Sequence, residues 1–123
     1  ATPKEPHSWR YVTNMEEAVN AFDFFSGQVC FIGHTHFPVI VTNEAELLEK
    51  TSFKMQKELR YLINVGSVGQ PRDGNNKACY GMYDHKTRRF EVRRVRYNIS
   101  LTQKKMRRAS LPEYLIERLS AGR

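Results

Sequence analysis

The chain has 123 residues, the size of one small domain or of part of a larger one. Hydrophobic residues make up 40% of the sequence, which is enough for a folded core and excludes wholesale disorder. The net charge of +7 is compatible with a phosphorylated or acidic partner, whereas the lack of a long apolar run or signal-peptide pattern predicts a cytoplasmic protein without a membrane partner.

The N-terminal segment predicts a loop followed by a helix. Pro3 and Pro6 oppose helix in the first twelve residues. The side chains expected to pin this loop to a core are Trp9, Tyr11 and Val12. A helix is predicted at about residues 14–25, because Asn14 is a good N-cap and apolar residues then recur at helical spacing. Gly27 is the predicted helix stop.

Three apolar runs predict buried strands, at residues 29–32, 39–41 and 61–65. Segment 43–58 is mixed in charge and is interpreted as a variable excursion. Cys30 and Cys79 lie within apolar runs, which indicates two reduced thiols and not a disulfide. Loops that begin at Gly33 and Gly66 follow two of the strands. Because α/β proteins commonly bind ligands in such loops, these two are the candidate functional loops.

The remainder predicts a β-hairpin and two short helices. The hairpin arms are residues 78–83 and 89–97. Apolar residues change parity along the second arm, so a β-bulge is expected near Arg93 and Arg94. Ser100 is expected to start the first helix, in a capping box with Gln103. Pro112 is expected in the first turn of the second helix. This order of elements is typical of a mixed α/β (α+β) fold.

A basic stripe covers residues 86–108, where ten basic side chains accompany a single acidic residue, Glu91. Such a stripe can attract phosphate, nucleic acid or an acidic protein surface. The favoured interpretation is a solvated strand edge and helix face, where basic side chains oppose edge-to-edge pairing. Nucleic-acid binding is the less favoured alternative, because aromatic residues are sparse in the stripe.

The most informative tetrapeptide is Gly33-His34-Thr35-His36. Two imidazoles at the mouth of a buried strand can turn toward one cavity if the backbone bends, and Gly33 would permit that bend. Imidazole is the commonest protein ligand of divalent transition metals. From the spacing alone, a metal site and an ordinary polar loop are about equal alternatives, because no carboxylate stands at ligand spacing to either histidine.

The second loop is glycine-rich and runs from Gly66 to Gly74. Backbone N–H groups at Gly66 and Ser67 could bind an anion, and Arg72 could clamp a phosphate. The alternative to anion binding is a loop with a purely structural role, in which Arg72 pairs with Asp73. The residue types by themselves slightly favour this structural role.

Together the two loops resemble a known family. Residues 33–38 (GHTHFP) followed by residues 64–73 (NVGSVGQPRD) are similar to the C-terminal signature of calcineurin-like metallophosphoesterases, in their bacterial phosphodiesterase-like branch. Ala1-Thr2-Pro3 also resembles the loop after a metal-binding histidine of that family. The resemblance spans nearly all of the chain apart from residues 43–58, and Val65 stands where many members have proline.

The resemblance implies a fold and a chemistry. Members fold as a four-layer α-β-β-α sandwich and bind two divalent metal ions, commonly manganese, iron, zinc or nickel. A metal-bridged hydroxide then attacks the phosphorus of a phosphomonoester or phosphodiester. His34 would bind one metal and His36 the other, and the substrate would be a phosphorylated small molecule or nucleotide.

The family's remaining metal motifs are missing from this sequence. We therefore expect residues 1–123 to be the C-terminal part of a single domain about twice as long, with Ala1 at a cleavage boundary and the N-terminal half as a partner. By itself the fragment is expected to be inactive. A non-catalytic scaffold or binding module of the same fold is the alternative to an enzyme.

Overall fold

The structure, a computed structural model, describes residues 2–123. Ala1, on which part of the predicted loop resemblance falls, lies outside the described residues. The helices are α1 (Met15–Asn20), α2 (Ile99–Arg108) and α3 (Glu113–Ala121), and a 3₁₀ turn (Ala21–Phe24) follows α1. The strands are β1 (Val29–Ile32), β2 (Val39–Thr42), β3 (Ser52–Lys54), β4 (Tyr61–Asn64), β5 (Ala78–Asp84) and β6 (Arg89–Val95). No helix within residues 2–123 is long and apolar enough to cross a membrane.

The three predicted strands form one sheet in the order β1-β4-β2. The prediction that β1 is buried on both faces is wrong, because β1 is an edge strand without a buried residue and Phe31 is 44% exposed. Strand β4 is parallel to β1 and antiparallel to β2, and every residue of this central strand is buried. Its continuous apolar run thus reflects packing on both faces.

The second sheet is antiparallel, in the order β3-β6-β5. The hairpin of β5 and β6 is confirmed, but the β-bulge is wrong, since pairing runs without interruption from Asp84 and Arg89 to Ala78 and Val95. The strand instead ends at Val95, which is half exposed. Val95 therefore need not share the buried face of Phe90, and Tyr97 lies beyond the end of the strand.

The interpretation of segment 43–58 as an excursion is also wrong. Strand β3 lies within it and pairs with β6, and Met55 is buried in the core. The segment supplies part of the second sheet because Phe53 and Met55 pack inward although charged residues surround them.

Two apolar clusters organise three layers. One cluster joins the sheets, with Ile63 of β4 and Phe90 of β6 among its members. The other joins α1 to the opposite face of the first sheet, through Phe22 and Leu62. These contacts place α1, the first sheet and the second sheet in that order, and the carboxyl ends of β1 and β4 carry loops.

The helix caps follow the sequence only in part. Asn14 caps α1 as predicted, accepting a hydrogen bond from the backbone N–H of Glu17 (2.9 Å). The helix is shorter than expected, and Phe25 is already extended, so Gly27 does not end it. Asn98 caps α2 in place of Ser100, since it lies where the backbone leaves the extended conformation and accepts from the N–H of Leu101 (2.9 Å). Pro112 lies at the start of α3, close to its expected position.

Candidate metal centre

The two candidate loops lie side by side at the carboxyl ends of β1 and β4 in the first sheet. Ile32, the last residue of β1, pairs with Asn64, the last residue of the parallel strand β4. The loop after Ile32 crosses the end of β4 and returns as β2, whose first residue, Val39, also pairs with Asn64. The sheet topology thus brings together the histidine loop and the glycine-rich loop, as the sequence predicts.

Asn64 ties these loops to each other. Its side chain is buried, and its Nδ2 donates to the carbonyl of Gly33 (3.2 Å) and to the hydroxyl of Thr35 (2.8 Å). Its Oδ1 accepts from the N–H of Gly66 (3.1 Å). One buried amide therefore fixes the backbone on both sides of the site.

His36 is oriented by the glycine-rich loop. Its Nδ1 lies 2.9 Å from the carbonyl oxygen of Gln70, and its own carbonyl accepts from the N–H of Arg72 (3.4 Å). A carbonyl can only accept, so Nδ1 must carry the proton, and the neutral ring keeps its lone pair on Nε2. Metal-binding histidines typically have one nitrogen engaged in this way.

His34 is positioned by aromatic contacts. Its ring stacks on that of Tyr11, with centroids 4.1 Å apart and planes 9° from parallel, and the ring of Trp9 lies 5.5 Å away at 57°. Trp9 and Tyr11 are 72% and 46% exposed, so the expectation that they pin the loop to a core is wrong. Val12 does pack against the α1 cluster.

Both histidines have left-handed backbone conformations. The φ angle is 81° at His34 and 64° at His36. This region costs a side-chain-bearing residue about 1–2 kcal/mol. Gly33, which the sequence predicts to supply the bend, has no positive φ, and a Cβ there would meet nothing within 4 Å. The bend is built into the histidines themselves, and strain of this kind is concentrated at functional sites.

Gly66 and Ser67 have structural contacts. Gly66 has φ 77°, and a Cβ there would lie 2.7 Å from the Sγ of Cys79. The Oγ of Ser67 accepts from the N–H of Gln70 (2.9 Å), and its carbonyl accepts from the N–H of Cys79 (2.8 Å). These contacts support the loop that orients His36, and a direct contact of either residue with substrate remains a prediction.

Arg72 is not paired with Asp73, so the predicted ion pair between these two residues is wrong. Asp73 pairs with Arg94, whose Nη1 lies 3.2 Å from Oδ1, because β6 brings that guanidinium under the loop. One Nη of Arg72 donates to the side chain of Gln70 (3.0 Å). Its Nε is buried and has no hydrogen-bond partner within residues 2–123. A buried guanidinium nitrogen without a partner is suited to an anionic ligand.

The basic stripe is engaged in intramolecular ion pairs at three of its ten basic side chains. Residues 89–91 of β6 pair on both sides, so edge protection does not explain the stripe there. The ion pairs are Arg93 with Glu91, Arg94 with Asp73 and Arg107 with Glu113. Nucleic-acid binding by the stripe therefore remains the less favoured prediction.

The two histidines can supply part of a metal centre. Imidazole nitrogen suits manganese, iron, zinc and nickel, and His36 presents a free Nε2 in its neutral form. Within residues 2–123, no group of three or more His, Cys, Asp or Glu side chains is arranged to hold a metal ion. The two imidazoles are donors of the kind that such a centre uses.

Comparison with known proteins agrees with the resemblance. The uncharacterized protein MJ0912 of Methanocaldococcus jannaschii is 40% identical over 124 residues, which covers 100% of this chain and 50% of that protein. The crystal structure of a metallophosphoesterase from Sphaerobacter thermophilus matches with a TM-score of 0.91 and 37% identity, over 100% of this chain and 54% of that one. No family model matches the chain.

A more distant match shows the fold alone. The crystal structure of hypothetical protein PH1004 from Pyrococcus horikoshii OT3 has a TM-score of 0.70 at 15% identity, over 100% of this chain and 44% of that one. The predicted resemblance to calcineurin-like metallophosphoesterases and the α+β fold class are thus confirmed. The chain spans about half the length of the proteins it matches.

Proposed function

We propose that residues 1–123 form the C-terminal part of one metallophosphoesterase domain and contribute to a metal-dependent hydrolase that cleaves a phosphomonoester or phosphodiester. The observation that carries this proposal is the histidine pair at the strand ends. The backbone of both residues is bent into the left-handed region, and Gln70 leaves the Nε2 of His36 available. A histidine with one ring nitrogen held by a carbonyl is typical of metal ligands, and backbone strain at both members of the pair is consistent with that role.

The proposed cofactors are two divalent metal ions, drawn from manganese, iron, zinc and nickel. His34 would bind one ion and His36 the other, and the remaining ligands would come from the other half of the domain, which is the proposed partner. When bound, such ions acidify water and offset the charge of a phosphoryl group.

Arg72 is the proposed substrate-binding residue of this chain. Its buried, unpartnered Nε and its position next to Gln70 support a contact with a phosphate oxygen. The substrate would be a phosphorylated small molecule or nucleotide. Gly66 and Ser67 would act with Arg72 by fixing the loop. A cytoplasmic location accompanies this proposal and is testable by cell fractionation.

The experiment is a metal-dependent hydrolysis assay on the purified protein, preceded by mass spectrometry to identify every polypeptide in the sample. Phosphate release from glycerol 2-phosphate and hydrolysis of bis(p-nitrophenyl) phosphate are followed after EDTA treatment and after return of Mn²⁺. Loss of an outer-shell partner costs about 10- to 100-fold, so we expect His36→Ala to lose at least that much.

His85→Ala is the matched control, because His85 is exposed in the hairpin turn and should retain full activity. If a sample that contains both halves hydrolyses neither substrate with manganese, iron, zinc or nickel, the proposal is wrong and the scaffold alternative replaces it.

A further inference from the structure

The end of α3 is bound to the end of the glycine-rich loop. The carbonyl of Gly122 accepts from the N–H of Gly74 (3.0 Å), and the carbonyl of Ser120 accepts from the side-chain amide of Asn76 (3.0 Å). Gly122 is buried in this contact. The last residue of the loop is therefore held by a helix that supplies no residue to the candidate metal centre.

The contact requires glycine at position 122. The φ angle of Gly122 is 66°, and a Cβ there would lie 2.8 Å from the carbonyl carbon of Asn75 and 2.9 Å from that of Gly74. Helices commonly end in a left-handed glycine, so the φ angle alone would be ordinary. A helix cap does not need a second backbone at this distance, and backbone atoms cannot move aside as the end of a side chain can. The close approach therefore belongs to the loop contact and not to the helix end alone.

Helix α3 is itself held in place by packing and by α2. Ile116 and Leu119 are buried. Gln103 of α2 donates to the carbonyl of Ile116 (2.9 Å) and to the hydroxyl of Ser120 (2.9 Å). The end of α3 is thus a fixed support for the loop.

This support lies close to Arg72 in the chain. Arg72 is two residues before Gly74, and between them Asp73 is tied to β6 by its side chain. The start of the loop is fixed separately, because Asn64 accepts from the N–H of Gly66 (3.1 Å). A shift at the end of the loop would therefore displace Arg72 and leave the start of the loop in place.

We infer that Gly122 is a positioning residue for substrate binding, because it holds the end of the glycine-rich loop and thereby directs the guanidinium of Arg72 toward phosphate. The inference deepens the proposed function and rests on it. Substrate affinity, and not metal affinity or the chemical step, then depends on the end of α3.

The test is steady-state hydrolysis of bis(p-nitrophenyl) phosphate by the full-length protein with Mn²⁺. Gly122→Ala should raise KM by about tenfold or more with kcat nearly unchanged, because a small displacement removes binding that substrate and transition state share. Gly122→Asn should do the same, since asparagine accepts a left-handed backbone but keeps the Cβ. Arg123→Ala is the matched control, because Arg123 is exposed and should leave both constants unchanged.

An Arg72→Ala background separates positioning from a merely structural role. If Gly122 acts through Arg72, Gly122→Ala causes no further rise in KM in that background, and an equal rise in both backgrounds overturns the inference. An unchanged KM in Gly122→Ala or in Gly122→Asn overturns it too, and so does a loss of Mn²⁺ affinity as large as the loss of substrate affinity. If Gly122→Ala does not fold, Asn76→Ala replaces it, since it removes the second hydrogen bond without adding an atom. A rise in KM then supports the inference, and no rise contradicts it.

Failure of the proposed function is recognised separately, by the absence of hydrolysis of either substrate by the unsubstituted protein. Binding of inorganic phosphate, measured by isothermal titration calorimetry, then decides the inference. Weaker binding by Gly122→Ala than by the unsubstituted protein supports it, and equal binding or no binding contradicts it.

Discussion

The side-chain amide of Asn64 donates a 2.8 Å hydrogen bond to the hydroxyl of Thr35, the residue between the two candidate metal-binding histidines. Asn64 is the last residue of the central strand and is 1% exposed, so this contact links the buried end of that strand to the loop in which both histidines have a positive φ. The histidine loop is thus oriented from beneath by a side chain that has no place in the chemistry.

Replacement of Asn64 by alanine should destabilise the protein by about 2–4 kcal/mol, since it leaves the buried partners of the amide unsatisfied. Thr35→Val removes only one of these contacts and should cost about 1 kcal/mol. Urea denaturation measures both. Equal effects of the two substitutions would show that Asn64 does not join the loops.

Two glycines should differ in how well they tolerate alanine. Gly33→Ala meets no neighbour within 4 Å and should change the free energy of unfolding by less than about 0.5 kcal/mol. Gly66→Ala combines a positive φ with a contact of 2.7 Å to Cys79 and should cost at least about 1–3 kcal/mol. Thermal denaturation of the two variants is the measurement, and a larger loss at Gly33 would place the bend where the sequence predicts it.

The Arg94–Asp73 pair should matter more than the Arg93–Glu91 pair on the same strand. Side-chain exposure is 19% and 13% in the first pair but 46% and 43% in the second. Removal of one partner of a largely buried pair leaves a charge without compensation, so Arg94→Met should cost about 2–4 kcal/mol. Arg93→Met should cost under about 1 kcal/mol. Similar losses in chemical denaturation would contradict this ranking.

The cysteines should behave as inert thiols. Burial raises the pKa of Cys79 above its ordinary value, and burial likewise raises the pKa of Cys30. The folded state therefore favours the protonated thiol, and this contribution to stability is present below the unfolded pKa and is lost as the pH rises past it. At pH 8 a disulfide reagent should modify Cys79 only after denaturation. Rapid modification of the native protein would show that this strand opens.

The sequence predicts the location of the site better than its geometry. Apolar runs that end in glycine place both loops at strand ends, although only β4 is buried as such a run predicts and β1 is partly exposed. The left-handed histidines carry no such signal, since glycine is the residue normally associated with φ above zero. The sequence therefore predicts the bend at Gly33, whereas the structure has it at His34 and His36.

Other features depend on contacts that no local pattern records. Strand β3 is only three residues long and lies among charges, so its pairing with β6 is decided by tertiary packing. The sequence predicts a core contact for Trp9 and Tyr11, because aromatic side chains are commonly buried. The charged and proline-rich residues around them, such as Arg10 and Pro6, were the available signal that this loop stays at the surface.

The most direct test of the metal-site account is anomalous X-ray diffraction from crystals of the purified protein grown with Mn²⁺. We expect an anomalous peak at about 2.0–2.3 Å from the Nε2 of His36 and a second peak at the ring of His34. Density for a metal elsewhere, with both imidazoles hydrogen-bonded only to protein or water, would contradict the account.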